Sequence, residues 1–183
     1  MKNLTTRLSS LVLAMLALSL IGCVSKNSSA FVTSNVSDNV IGATTKEILV
    51  AESMRLPILK ADPSLTDSQK QCIDEIDLTN MAKPVQGVLR KKFTKDELTR
   101  LDTFFDSDSA KAASNASRLQ IASLLSGGEV TQGIKLTAKQ EVDIANFTNS
   151  ELGKKFAEAT KKDGNISSML DVFVTTKIKN CGI

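Results

Sequence analysis

Four threonines, each three residues ahead of a glutamate or glutamine, read as capping boxes in this sequence: Thr44/Glu47, Thr66/Gln69, Thr94/Glu97 and Thr137/Gln140. In a capping box the threonine hydroxyl accepts from the backbone N–H three residues on, and the acid or amide reaches back to the threonine N–H. Each box is followed by apolar residues at helical spacing, and no stretch alternates apolar and polar residues as a half-buried strand does. The chain is therefore expected to be all-α, a bundle of short helices built from helical hairpins. The first helix should run from Thr44 to about Leu56, where Pro57 ends or kinks it. A second carries Cys72, Ile73 and Ile76 on one face. After a break at Asp77 to Asn80, the period resumes from Met81 to Lys92. Phe93 and Leu98 flank the third box as a hydrophobic staple, and Leu98, Leu101, Phe104 and Phe105 supply a buried face. Ser107 is placed to cap a helix from Asp108 to Ser126, with Leu119, Ala122 and Leu125 inward and Gly127-Gly128 as its stop. Residues 129–135 connect to the fourth box, followed by Val142, Ile144 and Phe147. Ser150 caps a helix through Leu152, Phe156 and Ala159, and Ile166 to Ile178 forms the last. The core is expected to include Leu101, Phe104, Ile144 and Phe147.

The segment 92–118 aligns without gaps on 135–161 at an offset of 43 residues. Thr94 falls on Thr137, Phe104 on Phe147, Ser107 on Ser150 and Lys111 on Lys154, while Leu101 faces Ile144. Both copies read as cap, amphipathic helix, serine cap, second helix. Two such hairpins could bury their apolar faces against each other. The alternative is that any two capped amphipathic helices look this much alike.

The N-terminus has a different character. Met1 to Ser10 carries Lys2 and Arg7 and no acid, and Leu11 to Ile21 is apolar apart from Ser19. This is the pattern of a secretory signal peptide over residues 1–22, and it is too short to span a bilayer, which takes about 20 apolar residues. Leu20-Ile21-Gly22-Cys23 resembles the bacterial lipobox. The resemblance implies cleavage before Cys23, a diacylglycerol on its sulfur and acylation of its new amino group. Val24 stands where an Asp would signal retention in the inner membrane of enteric bacteria, so the implied location is the outer membrane, anchored by lipid and facing the periplasm. Residues 23–44, rich in Ser, Asn, Thr and Val, then read as a tether that reaches roughly 25 Å as a flexible coil, and 45–183 as the helical domain.

Cutting after Gly22 leaves 161 residues with a single net positive charge. With seven Phe and neither Trp nor Tyr, and no basic stripe interleaved with stacking rings, the chain does not read as a nucleic-acid binder. It has no histidine, the commonest general base and transition-metal ligand. No cofactor motif is present. With Cys23 assigned to lipid, Cys72 and Cys181 remain, an even pair that reads as a disulfide in an exported chain. Two separate thiols are the alternative. The bridge would close a loop worth roughly 4–5 kcal/mol in the chain-entropy model.

Other side chains invite a chemical reading. Ser107/Lys111 and Ser150/Lys154 are Ser–Lys pairs at i, i+4, but a serine cap followed by a solvated lysine accounts for them without an oxyanion loop. Asp106, Asp108 and Glu151 near the turns lack the glycine-containing pattern of a calcium loop and suit helix N-termini. Arg90-Lys91-Lys92, close to Lys83 and Lys95, suits either a helix C-terminus or an anionic lipid or acidic partner. No catalytic or metal-ligating constellation is assigned.

The run Phe93-Thr94, Glu97-Leu98, Leu101, Phe104-Phe105, Ser107 and Lys111 resembles the motif of the domain of unknown function 2059, helical domains of Gram-negative envelope proteins. Asp108 and Ala110 stand where that motif has Pro and Gly, and Lys111 comes one place early. The second copy keeps Ser150, Gly153 and Lys155 at the family's spacing. The resemblance implies an envelope-associated helical domain and no defined activity. The functional expectation is a lipid-anchored, non-enzymatic binding or accessory module with an envelope protein as a possible partner; its oligomeric state is not set by the sequence. A cell-wall enzyme or enzyme regulator, or a carrier of a small apolar ligand between the helices, are the alternatives.

Overall fold

The structure, a computed structural model, describes residues 42–126, 135–162 and 164–183. Its regular elements there are all helical. They are α1 (Ala43–Ser53), α2 (Arg55–Lys60), α3 (Asp67–Asp74), a 3₁₀ turn (Leu78–Met81), α4 (Ala82–Lys92), α5 (Lys95–Phe105), α6 (Asp108–Leu125), α7 (Ala138–Asn149), α8 (Glu151–Thr160) and α9 (Asn165–Asn180). The domain is an all-α bundle. The signal segment, Cys23, the tether to residue 41 and the Gly127-Gly128 stop lie outside the described residues.

α1 is the hub. It packs against α2, α4, α5 and the 3₁₀ turn. Ile48, Leu49 and Val50 are consecutive and all buried, as are Thr44, Thr45, Glu52 and Ser53. A helix enclosed on several sides has no single apolar stripe. Its polar residues bring their own partners: Ser53 Oγ donates to the Val50 carbonyl at 2.7 Å, and Glu52 accepts from Arg55 at 2.6 Å. Among the described residues, every buried side-chain nitrogen and oxygen has a hydrogen-bond partner. The remaining core comes from Leu56, Ile73, Leu78, Val85, Leu89, Leu101 and Phe105, and from Leu152, Phe156, Ile166, Leu170 and Val174 of the last two helices.

Three of the boxes form as reciprocal caps, at Thr66/Gln69, Thr94/Glu97 and Thr137/Gln140. The fourth does not. Helix α1 begins at Ala43, within the expected tether, with Gly42 as N-cap at φ +86°, a conformation that favours glycine. Thr44 is thereby carried inside the helix, where its hydroxyl serves a different partner, described below. Pro57 kinks the chain and does not stop it: the helical ladder is interrupted at Met54, one turn ahead of Pro57, while the Met54 backbone stays helical. The chain restarts at Arg55, so Pro57 occupies the first turn of α2, where its missing N–H would have had no intrahelical partner. The expected break at Asp77 to Asn80 is the 3₁₀ turn, with the Asp77 carboxylate accepting from the Thr79 N–H at 2.8 Å.

The second half needs three corrections of depth. Leu119 is 47% exposed, whereas Ile121, two residues on and so on the opposite side of α6, is buried. Leu101 is fully buried, but its companion in the core is Phe105; Phe104 is half-buried at the core's edge. Helix α7 has no fully buried residue, so Phe147 is half-buried against the core and Ile144 is half-buried outside it. The rings nevertheless make a cluster. Phe104 stacks on Phe147 at 3.6 Å between centroids and 9° between planes, and Phe105 meets Phe147 and Phe156 at 5.8 and 4.9 Å. Phe104 and Phe147 are equivalent positions in the 43-residue alignment, and this pair is in contact.

Candidate functional site

The N-terminus of α1 lies against the last two turns of α5 and the first half of α6. Between them is an open cleft of about 940 Å³. Its walls carry Lys46 and Glu47 from α1, Asp102 and Asp106 from the end of α5, and Lys111 and Arg118 from α6, over a small apolar floor that includes Val50 and Phe105. A second hollow of about 380 Å³, lined by Arg100, Phe104 and Asp143, shares Thr103 and Ser107 with it.

The cleft is held together by a cap that comes from another helix. Asp102 Oδ1 accepts from the Thr44 backbone N–H at 2.9 Å and from the Thr44 hydroxyl at 2.6 Å, across 58 residues of sequence. A carboxylate at a helix N-terminus satisfies an otherwise unpartnered N–H and meets the positive end of the helix dipole. Asp102 thus replaces the local box expected at Thr44/Glu47 and frees the Glu47 side chain to face α6. There burial pushes the Glu47 carboxyl above its ordinary value, against the opposing pull of a hydrogen bond with Ser114 and the charge of Arg118. Glu52 on the same helix is likewise raised by burial, with Arg55 opposing.

The Ser–Lys pairs do not meet. Ser107 Oγ caps α6, accepting from the Ala110 N–H at 3.3 Å, while Lys111 Nζ turns away to Asp106 at 2.6 Å. That contact holds the Asp106 carboxyl below its usual range. Ser150 Oγ accepts from the Gly153 N–H at 3.0 Å and donates to the Phe147 carbonyl at 2.6 Å, while Lys154 is exposed on α8. Asp108 and Glu151 occupy the first turns of α6 and α8. Among the described residues no group of three or more His, Cys, Asp or Glu is placed to hold a metal ion, and no helix is long and apolar enough to cross a membrane.

Cys72 of α3 and Cys181, the C-cap of α9, are bridged, with sulfurs 2.02 Å and Cα atoms 5.7 Å apart. Gln69 donates to the Gly182 carbonyl at 2.8 Å beside the bridge while also serving as the third residue of its capping box. Cys23 lies outside the described residues.

Asp102 and Arg118 are cleft residues that the sequence does not single out, and it presents Glu47 only as half of a capping box. Asp102 carries no local signal at all, because its partner is on α1. Compared with protein-family models, curated proteins and solved structures, the chain has no match.

Proposed function

We propose that this chain is an envelope lipoprotein, anchored through Cys23 in the outer membrane and facing the periplasm, and that its helical domain is a non-enzymatic binding or accessory module working through the α1/α5/α6 cleft. The resemblance to the domain of unknown function 2059 belongs to the same reading. The observation that carries it is how the cleft's polar groups are employed. Ser107 is a helix cap, Lys111 is paired with Asp106, and Asp102 caps α1. These groups shape a cleft of ligand-binding size, yet the serine and the lysine are not within one hydrogen bond of each other as nucleophile and base must be. The polar walls also suit a polar partner better than an apolar cargo.

The test has two arms. A fatty-acid probe should label the wild type in cells and not the Cys23→Ala variant; equal labelling ends the anchor. A photo-crosslinking residue at Asn115, an exposed residue of the cleft wall, should capture an envelope component that the same residue at Thr175 on α9 does not. Crosslinks of equal yield at both positions would remove the cleft from the reading. Hydrolysis of a cell-wall substrate that Ser107→Ala abolishes, with the fold intact, would favour the enzyme instead.

A further inference from the structure

The three consecutive cations that close α4 have a helix-electrostatic explanation, since a C-terminus favours positive charge. The structure sets a second basic segment beside them, and this explanation covers only its last two lysines, Lys161 and Lys162 at the end of α8. Lys155 of α8 lies 5.0 Å from the centre of the Phe93 ring, at the junction of α4 and α5, and grips both Glu97 carboxylate oxygens at 2.8 Å. Glu158 pairs with Lys161 at 2.7 Å, and its carboxyl is held low first by Lys161 and further by Lys92 of α4. The C-terminal turn of α4 and the outer face of α8 are therefore one continuous surface. Segments 90–97 and 151–162 together carry eight Lys or Arg against four Asp or Glu, although the chain after Cys23 is almost neutral. Lys154 and Lys155 stand in the middle of α8, where the helix dipole gives cations no advantage; Lys155 is held by Glu97 and Phe93, and Lys154 is exposed. Arg90, Lys91, Lys92, Lys95, Lys154 and Lys162 are all exposed.

We infer that the surface formed by the end of α4 and the outer face of α8 docks the domain on the anionic phospholipid bilayer that carries its anchor. This rests on the Cys23 reading. The 19 peptide links from Cys23 to Gly42 hold the domain within about 65 Å of the membrane, and that tethering makes docking intramolecular, so weak attraction suffices. Lysines spread over exposed helix positions suit a planar array of phosphates better than the shaped pocket an acidic protein would need. Docking would lay α4 and α8 against the headgroups.

Lysine-acetylation footprinting of the full lipidated protein tests this. The protein is reconstituted into vesicles of pure phosphatidylcholine, or of phosphatidylcholine with about one third phosphatidylglycerol. Flotation with the vesicles reads the anchor; the footprint reads the patch. Lys91, Lys95, Lys154 and Lys162 should be acetylated roughly fivefold more slowly on the anionic vesicles, and the difference should vanish near 1 M salt, where screening acts over about 3 Å. Lys70 and Lys179 serve as references, because they lie near Cys181 at the far end of α9, about 24 Å along that helix from its start. In a Lys91→Glu, Lys95→Glu, Lys154→Glu variant, Lys162 should lose its protection. Equal patch rates on both vesicle types, in protein that floats with both, overturn the proposal, and an acidic protein partner would give that outcome. Protection that survives the triple substitution overturns it as well.

Discussion

Glu47 shows how one distant residue changes the chemistry of another. By sequence it belongs to a capping box with Thr44, and a carboxylate so employed would sit at low pKa. Because Asp102 takes the cap, Glu47 is left to face α6, where burial raises its pKa above the ordinary 4.5. The sign of the consequence follows from linkage. The folded state holds this proton more tightly than the unfolded chain, so stability falls as pH rises from about 4.5 through the folded pKa, and the cost is fully present above it. Glu47→Gln removes the ionisation and keeps an oxygen that can accept from Ser114. Thermal melts from pH 4 to pH 8 should show little difference between variant and wild type at the acid end and a higher Tm for the variant at neutral pH, with the gap opening as pH rises. A gap that is constant across pH, or that favours the wild type at pH 7, would mean that Arg118 and Ser114 outweigh the burial of the charge.

The two serine-capped hairpins look alike in sequence and differ in how tightly they turn. In the first, Asp106 and Ser107 separate α5 from α6; in the second, Ser150 alone is both the C-cap of α7 and the N-cap of α8. The tighter turn brings helix backbones together, and a Cβ at Gly153 would lie 2.0 Å from the Phe147 carbonyl oxygen. The equivalent position in the first hairpin is Ala110, which carries its methyl in a buried site. Gly153→Ala should therefore cost about 1–3 kcal/mol, because backbone must move, whereas Ala110→Gly should cost about 0.5–1 kcal/mol through backbone freedom and lost packing. Urea midpoints with unchanged m-values would measure both; equal effects would mean that the two turns relax alike. The same elements show what could be read from sequence. Caps at Thr66, Thr94, Ser107, Thr137 and Ser150 are contacts over three residues, so the local pattern contains them. The Asp102–Thr44 bond is not local, and neither is the choice of Ile121 over Leu119 or of Phe105 over Phe104, which depends on the side from which a neighbouring helix arrives. α1 was the least legible element. Thr44, Thr45, Glu52 and Ser53 interrupt its apolar residues, and the hydrogen bonds of Thr44, Ser53 and Glu52 to Asp102, Val50 and Arg55 allow it to sit at the centre. The cleft inherits that difficulty, because α1 forms one of its walls.

At the scale of the whole molecule, the Cys72–Cys181 bridge joins the third helix of the fold to the end of the last across 109 residues of sequence. Beside it, the Gln69–Gly182 bond at 2.8 Å is exposed. Such surface contacts add little. A crosslink acts mainly on the unfolded chain, and a loop of about 100 residues is worth roughly 4.7 kcal/mol in the chain-entropy model. A domain of this size has only about 5–15 kcal/mol in all, so the bridge is a large share. Replacing both cysteines by serine should lower the unfolding free energy by roughly 3–5 kcal/mol. The m-value should also rise, because the unfolded chain is released from a constraint that kept it compact. The helical signal should survive at 25 °C, since α9 still buries Ile166, Leu170 and Val174 against the core. Urea titrations of wild type with and without reductant, alongside the double serine variant, would decide it. If the reduced protein and the variant unfold at the wild-type midpoint, the ends are held by packing alone and the bridge is incidental. If both fall together, the fold depends on an oxidising compartment. On the lipoprotein reading proposed above, export directed by Leu20 to Cys23 would then bear on stability as well, because a chain retained in a reducing cytosol would not acquire the bond.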